Sequence, residues 1–254
     1  MAIFPLPNGA FDLSMFGHRH TFIALLDPDE YIVLKEPPQP PRTRPSLPAF
    51  LQPFEAYGGV SVQWQLFGPS GHVARPNAST LLSYTDCVPK HELQAELARV
   101  PAHPLGLHQE HNHHEVSDCA LRRCYERGCN PHVCNLKPGC KYVNEKFMDV
   151  TPSVIKEVHW DRIAVFHYVT RSMTEYRRKL RRGSGHSQYL EANRAMGRTN
   201  RGWGYFQMVN SSATATCTEG REAWQRCCGA PSPVATSAQL AAAAATAGGR
   251  GGPS

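Results

Sequence analysis

Residues 21–30 read Thr-Phe-Ile-Ala-Leu-Leu-Asp-Pro-Asp-Glu, an apolar run that ends in three carboxylates. A run this short and wholly apolar predicts a buried strand, and open α/β sheets place their ligands at the carboxyl ends of such strands. In an extended chain Asp27 and Asp29 point the same way, so they can share one hard divalent cation. The alternative interpretation is that Asp-Pro-Asp simply opens a turn.

The segments that follow alternate between helix and strand patterns. Ser46 can cap a helix whose apolar residues recur at helical spacing, and Pro53 should cut that helix short. Residues 60–67 alternate between apolar and polar side chains and predict a strand with one buried face. Residues 163–169 predict a second strand, which ends near Tyr168 and in which Ile163, Val165 and His167 share one face. A helix is also expected at 90–99. Together these patterns indicate an α/β fold.

A basic helix is expected after the last of these strands. Ser172 and Glu175 have capping-box spacing, and Gly183 is a natural terminator. Residues 171–182 contain six basic residues against one acid, and so most of the chain's net charge of +6. Such an excess is more typical of a solvated helix face than of a nucleic-acid reader, so no nucleic-acid partner is expected. Exposed N–H groups at the helix start would favour a phosphate.

Nine cysteines indicate either a metal site or disulfides. Five of them lie between Cys119 and Cys140, just after a histidine cluster, and their Cys-x4-Cys steps fall at the outer limit of structural zinc spacing. Disulfides in an oxidising lumen fit better, because this stretch has little apolar periodicity to hold itself together. Cys217, Cys227 and Cys228 are expected in a weakly structured tail.

Composition divides the chain into three parts. We assign an irregular segment to 1–19, an α/β domain to 20–210 and a low-complexity, disordered tail to 211–254. The chain is 41% apolar and 19% charged, which allows a sizeable core. It contains neither a signal-peptide pattern nor an apolar run long enough to span a bilayer.

Four stretches resemble the family 92 glycosyltransferases, which are GT-A-type enzymes. In chain order these are residues 26–32 (LDPDEYI), residues 50–72 from Phe-Leu to the Gly-Pro-Ser-Gly-His loop, residues 130–132 (NPH) and residues 167–172 (HYVTRS). The likeness covers about residues 20 to 185. It implies a partial GT-A-like mixed sheet flanked by helices, with a long irregular insertion rich in cysteine and histidine.

The resemblance implies transfer of a sugar, galactose from UDP-galactose by this likeness, to a glycan acceptor, with Mn²⁺ (or Mg²⁺) bridging the diphosphate. It also assigns roles: Asp27, Asp29 and His167 to the metal, Asp27, Asp29 and Glu30 to the donor, and Trp64, Gly71, His72 and His132 to the acceptor. Taken alone, His167 and Trp64 would be ordinary core residues, and His72 and His132 ordinary loop residues. The general base is not identified; Glu30, Asp86 and Glu145 are candidates by residue type only.

The position of the acids departs from the family. There they lie midway through the domain, after a nucleotide-binding half, whereas here they begin at residue 27. The chain is therefore expected to be a fragment, or a protein that kept the acceptor half, and to bind nucleotide-sugar poorly or lack activity alone. For the full-length protein we expect a Golgi location and membrane association only through an amino-terminal anchor. The alternative function is a non-catalytic zinc-binding or disulfide-stapled interaction module built on Cys119–Cys140.

Overall fold

The structure is a computed structural model that describes residues 21–24, 26–35, 46–98, 113–118, 124–129, 134–150, 157–182 and 202–228. In chain order its elements are β1 (Phe22–Ala24), β2 (Glu30–Leu34), α1 (Leu47–Leu51) with a 3-10 turn (Gln52–Phe54), β3 (Gly59–Leu66), α2 (Thr80–Ser83), β4 (Asp86–Cys87), α3 (Lys90–Ala98), β5 (His113–Asp118), β6 (Tyr125–Cys129), β7 (Cys134–Leu136), β8 (Tyr142–Val143), β9 (Asp149–Val150), β10 (Ile163–His167), α4 (Met173–Arg182), α5 (Trp203–Ser212), β11 (Ala215–Thr216) and α6 (Glu219–Cys228).

The main sheet runs in the order β1-β5-β3-β10-β2. Strand β10 lies parallel to β3 and antiparallel to β2, while β5 lies antiparallel to both β3 and β1. The short β8 pairs in parallel with β3 and in turn with β9. Two separate ribbons join β4 to β11 and β6 to β7. This mixed sheet with flanking helices confirms the α/β class predicted from the sequence.

Both faces of the central strands are covered. Every residue of β3 and of β10 is buried, so the prediction of a single buried face was wrong for β3. Two polar side chains of β3 have hydrogen-bond partners inside the protein: Gln63 Nε2 donates to the Glu157 carbonyl at 2.9 Å, and Gln65 Nε2 to Cys217 Sγ at 2.8 Å. Buried polar side chains need such partners, which is why the alternating pattern survives in an interior strand.

One apolar cluster lies on each face of the sheet, because successive residues of a strand point to opposite faces. The cluster on the α1 side contains Phe50, Leu51, Phe54, Val60, Val62, Trp64, Val143, Ile163 and Val165. The cluster on the other side includes Phe67, Ala164, Phe166, Tyr168, Tyr176, Phe206 and Val209. Removal of these side chains from water is the main force that holds the helices to the sheet.

Two helices predicted from local sequence patterns, α1 and α3, are present in the structure. Helix α1 ends at Leu51 and passes into the 3-10 turn that contains Pro53, which confirms that this proline cuts the helix short. Ser46 occupies the cap position but makes no capping hydrogen bond with its side chain. The helix expected at 90–99 is α3, Lys90–Ala98.

The folded part extends beyond residue 210, which corrects the predicted boundary of the tail. Cys217, which we expected in a weakly structured tail, forms a disulfide with Cys87 across 130 residues. Strand β11 pairs with β4, and Gly220 of α6 lies so close to Phe166 that a Cβ atom would come within 3.1 Å of that ring. The expectations for 1–19 and for 229–254 fall outside the described residues. Among the helices of the described part, none is both long and apolar enough to cross a bilayer.

Candidate functional site

The antiparallel pairing of β10 with β2 brings an imidazole against two carboxylates. His167 and Glu30 are direct partners in the register, and His167 Nε2 lies 3.8 Å from Glu30 Oε1 and 3.9 Å from Asp29 Oδ1. The Tyr168 amide donates to the Asp29 carbonyl at 2.9 Å, which fixes the end of β10 to the start of β2. The His167 side chain is 5% exposed and that of Glu30 is fully buried. The site is therefore an internal cluster.

Asp27 and Asp29 lie at a turn and Glu30 begins β2, so the predicted strand from Thr21 to Leu26, with the three acids at its end, was too long. Strand β1 ends at Ala24, and the Glu30 amide donates to the Asp27 carbonyl at 3.0 Å to close a turn. The Glu30 carboxylate also accepts the Asp27 amide at 2.7 Å. Asp27 is exposed, whereas Asp29 and Glu30 turn inward. Asp-Pro-Asp thus opens a turn, as the alternative interpretation had it.

Two basic residues of the α4 segment complete the cluster. Lys179 Nζ lies 2.9 Å from Asp29 Oδ2 and 3.2 Å from the Val169 carbonyl, and Arg171 Nη2 donates to the Pro28 carbonyl at 3.2 Å. Burial alone would raise the pKa of Asp29, but the positive charges of His167 and Lys179 outweigh it and hold that pKa below its usual value. Asp29 is therefore ionised at neutral pH.

Lys179 is the residue of this cluster that sequence reasoning missed. It was counted among the charges of a solvated helix face, yet it contacts a carboxylate 150 residues earlier in the chain. One signal was present: Lys179 lies three residues after the buried Tyr176, and residues three apart are neighbours on a helix surface. Lys179 therefore borders the buried face of α4.

The arrangement does not match a finished metal site. Carboxylates and imidazole are suitable ligands for Mn²⁺ or Mg²⁺, but adjacent ligands of an octahedral ion at about 2.1 Å lie about 3 Å apart. The His167 distances to Asp29 and Glu30 are 3.9 and 3.8 Å, and Lys179 already neutralises Asp29. In the part of the chain that the structure describes, no three His, Cys, Asp or Glu side chains are placed to hold a metal ion.

The capping box at the start of α4 is confirmed. Ser172 Oγ donates to Glu175 Oε2 at 2.7 Å, and the Glu175 amide N–H donates to Ser172 Oγ at 3.4 Å. The Tyr84 hydroxyl also donates to Glu175 at 2.7 Å. Burial would raise the pKa of Glu175, but the hydrogen bonds from Tyr84 and Ser172 outweigh it and lower that pKa. Burial, together with the hydrogen bond to Glu175, raises the pKa of Tyr84 to about 12.

The expected phosphate position at this helix start is wrong, because its amides have protein partners. The Met173 amide donates to the His72 carbonyl at 3.1 Å and the Thr174 amide to the Val73 carbonyl at 3.0 Å. The Ser172 amide donates to the hydroxyl of Tyr84 at 3.1 Å. A helix N-terminus attracts an anion only through N–H groups that are still available.

Two of the four residues expected at the acceptor, Trp64 and His72, make contacts inside the protein. Trp64 is 5% exposed and packs on the His167 ring at a centroid distance of 4.6 Å, so it offers no free face on which a sugar could stack. His72 Nε2 lies 3.0 Å from the Ser83 carbonyl and thereby fixes its loop. Gly71 is exposed at φ +70°, a backbone conformation that favours glycine. His132 lies outside the described residues.

The three acids considered as general base occupy different environments. Glu145 is buried, and its carboxylate accepts the amides of Asp161, Arg162 and Ile163 at 2.8–2.9 Å, so it serves as a structural anchor. Asp86 lies in β4, whose partner is β11. Glu30 alone of the three lies in the cluster with His167.

The cysteine expectations can be compared at two pairs. Cys124 and Cys140 form a disulfide, which favours disulfides over zinc as predicted and removes these two sulfurs as zinc ligands. Cys227 and Cys228 of α6 are exposed. The side chains of the other cysteines of the 119–140 segment, Cys119, Cys129 and Cys134, lie outside the described residues.

Comparison of the chain with family models, with curated proteins and with solved structures found no match.

Proposed function

We propose that this chain is part of a glycosyltransferase that resembles family 92 and moves a sugar, galactose by that likeness, from a nucleotide-sugar to a glycan. One observation carries the proposal: three stretches chosen by resemblance alone, and far apart in the chain, meet in the folded protein. The first and the last meet where His167 contacts Asp29 and Glu30.

The middle stretch joins the same assembly from two directions. Its strand β3 runs beside β10, where Leu66 is the register partner of His167. Its loop reaches the last stretch through the hydrogen bond from the Met173 amide to the His72 carbonyl. A GT-A-like arrangement of this sheet is part of the proposal.

The charges around the cluster suit a diphosphate leaving group. The carboxylates and the imidazole are mostly buried, whereas Lys179 and Arg171 have side chains 39% and 27% exposed. Lys179 and Arg171 are thus more accessible than the side chains of Asp29, Glu30 and His167. Fixed positive charge at a place where negative charge develops lowers the barrier of a transfer reaction, because it needs no reorganisation. Lys179 and Arg171 would hold the departing diphosphate in this way.

Dependence on Mn²⁺ remains part of the proposal on the resemblance and on ligand type. The distances given above do not favour it, since Asp29 would first have to leave Lys179. No step of the mechanism is therefore assigned to a metal ion. A transfer assay in Mn²⁺, in Mg²⁺ and in chelator measures the requirement directly.

The experiment that tests the proposal is a transfer assay with a panel of labelled nucleotide-sugars and glycan acceptors. Because poor donor binding is expected of this chain, the donors are supplied at high concentration. We then expect slow incorporation of a hexose, from UDP-galactose first, and loss of incorporation in His167→Ala. Because His167→Ala can also disturb the core, Lys179→Met serves as a second variant at a partly exposed position. Incorporation that is absent with every donor, or unchanged in both variants, overturns the proposal.

A second function is favoured by the disulfide between Cys124 and Cys140, which staples part of the cysteine-rich segment. Under this alternative the chain is a non-catalytic interaction module. Its partner binding would survive Lys179→Met and be lost in Cys124→Ala. Disulfides persist in oxidising compartments, so both functions agree with the proposed Golgi lumen.

A further inference from the structure

The outer face of α4 is a basic surface. Arg177, Arg178, Arg181 and Arg182 are all exposed, and they fall on neighbouring positions of the helix surface. We call these four residues the arginine face. Within the residues that the structure describes, Arg178, Arg181 and Arg182 take part in no ion pair, and Arg177 lies over the Trp203 ring at 5.0 Å.

The acid of this helix does not balance the arginine face. Glu175 is used internally by Ser172 and Tyr84, both at 2.7 Å. Compensation of the helix dipole accounts for basic residues in the last turn, but it is weak and is supplied by any one cation there. Four exposed guanidinium groups exceed that need. Arginine's planar fork suits carboxylate, sulfate and phosphate groups, to which it can donate two parallel hydrogen bonds.

We propose that the arginine face binds an acidic polysaccharide, whose chain carries carboxylate or sulfate groups. The role of this polysaccharide rests on the proposed function, in which it is the acceptor or the polymer that bears the acceptor. The same helix turns Lys179 toward Asp29, so a chain lying along the arginine face leads to the candidate site.

Two features of the structure favour a polysaccharide over an anionic lipid surface and over nucleic acid. The apolar residues of α4, Met173, Tyr176 and Leu180, pack into the core, so this helix has no apolar face to insert into a lipid surface. The disulfides Cys87–Cys217 and Cys124–Cys140 indicate an oxidising compartment, where nucleic acid is absent and acidic glycans are made and displayed.

The test compares two triple variants with the same change in charge. The first is Arg178→Gln, Arg181→Gln and Arg182→Gln, since glutamine keeps helix propensity. The control is Lys137→Gln, Lys141→Gln and Lys146→Gln, at exposed positions. The control positions lie far from the arginine face. Lys141 precedes β8, which pairs with Gly59 at one end of β3, whereas α4 follows β10, which pairs with the other end of β3. Seven strand residues separate the two ends by about 20 Å.

Binding is measured by calorimetry with heparin, with polygalacturonate and with neutral dextran at two salt concentrations. We expect the wild type and the lysine variant to bind both acidic probes, and the arginine variant to bind about tenfold more weakly and with a smaller salt dependence. Equal weakening in both variants, binding to dextran, or no binding to either acidic probe overturns the inference.

Further arms separate other outcomes. Tighter wild-type binding to a single-stranded DNA 20-mer or to phosphatidylserine vesicles than to both acidic glycans also overturns it. If the arginine variant is unfolded by circular dichroism, the single variants Arg178→Gln and Arg182→Gln are measured instead, each with about a twofold loss expected. Polysaccharide binding without sugar transfer contradicts the proposed function alone, whereas transfer without polysaccharide binding contradicts this inference alone.

Discussion

Replacement of Glu145 by alanine should remove a buried carboxylate that anchors the start of β10. Its carboxylate accepts three backbone amides, from Asp161, Arg162 and Ile163, at the start of β10. A hydrogen bond to a charged group contributes about 1.5–3 kcal/mol, and a buried donor left without a partner costs about 1–3 kcal/mol. With partial access of water to two of the three amides, we expect a loss of about 5 kcal/mol in the free energy of unfolding.

Urea unfolding followed by circular dichroism measures this loss, with unchanged m-value as the sign of an intact folded state. Glu145→Gln should cost less, about 2 kcal/mol, because the amide oxygen can still accept two of the three bonds. Glu157→Ala is the matched control, since that side chain is 71% exposed and should change stability by less than about 0.5 kcal/mol. A loss below about 1 kcal/mol for Glu145→Ala would refute its role as an anchor.

Three further predictions concern stability. The pKa values of Asp29 and Glu175 in the folded state lie below their ordinary values of 3.8 and 4.5. Both carboxylates therefore contribute stability above pH 4.5, which is lost as the pH falls through the lower folded-state values. A urea midpoint that stays constant between pH 5 and pH 2.5 would contradict this. Replacement of both Cys87 and Cys217 by alanine frees a 130-residue loop and should cost up to about 5 kcal/mol, read as a fall in melting temperature; an unchanged value would exclude the disulfide. Ser172→Ala removes the helix cap and should cost about 1 kcal/mol in urea unfolding, whereas a loss near zero would show that the capping box contributes nothing.

The sequence predicted those features that depend on neighbours along the chain. The capping box of Ser172 and Glu175 and the early end of α1 at Pro53 follow from the residues within one helical turn. The proximity of Asp29 to His167 was anticipated only through resemblance to a family. At the capping box and at the end of α1, a few adjacent side chains determine the local free energy.

The features that were missed depend on residues far away in the chain. Whether an alternating strand buries one face or two is decided by what packs on it, and the pattern of β3 alone could not reveal that Gln65 has Cys217 as a partner. The pairing of Lys179 with Asp29 likewise joins residues 150 positions apart. A basic side chain on a helix looks solvated in sequence until the strand that carries its partner is known.

The most direct test of the central claim, that the cluster around Asp29 carries out sugar transfer, is the initial rate of labelled-hexose incorporation by three proteins. These are the wild type, Asp29→Asn and Asp149→Asn, the last a control at a side chain that is 66% exposed. Loss of a group that organises charge at a transfer site lowers the rate by about a hundredfold. The account predicts this loss for Asp29→Asn and an unchanged rate for Asp149→Asn. Equal rates in all three proteins would contradict it.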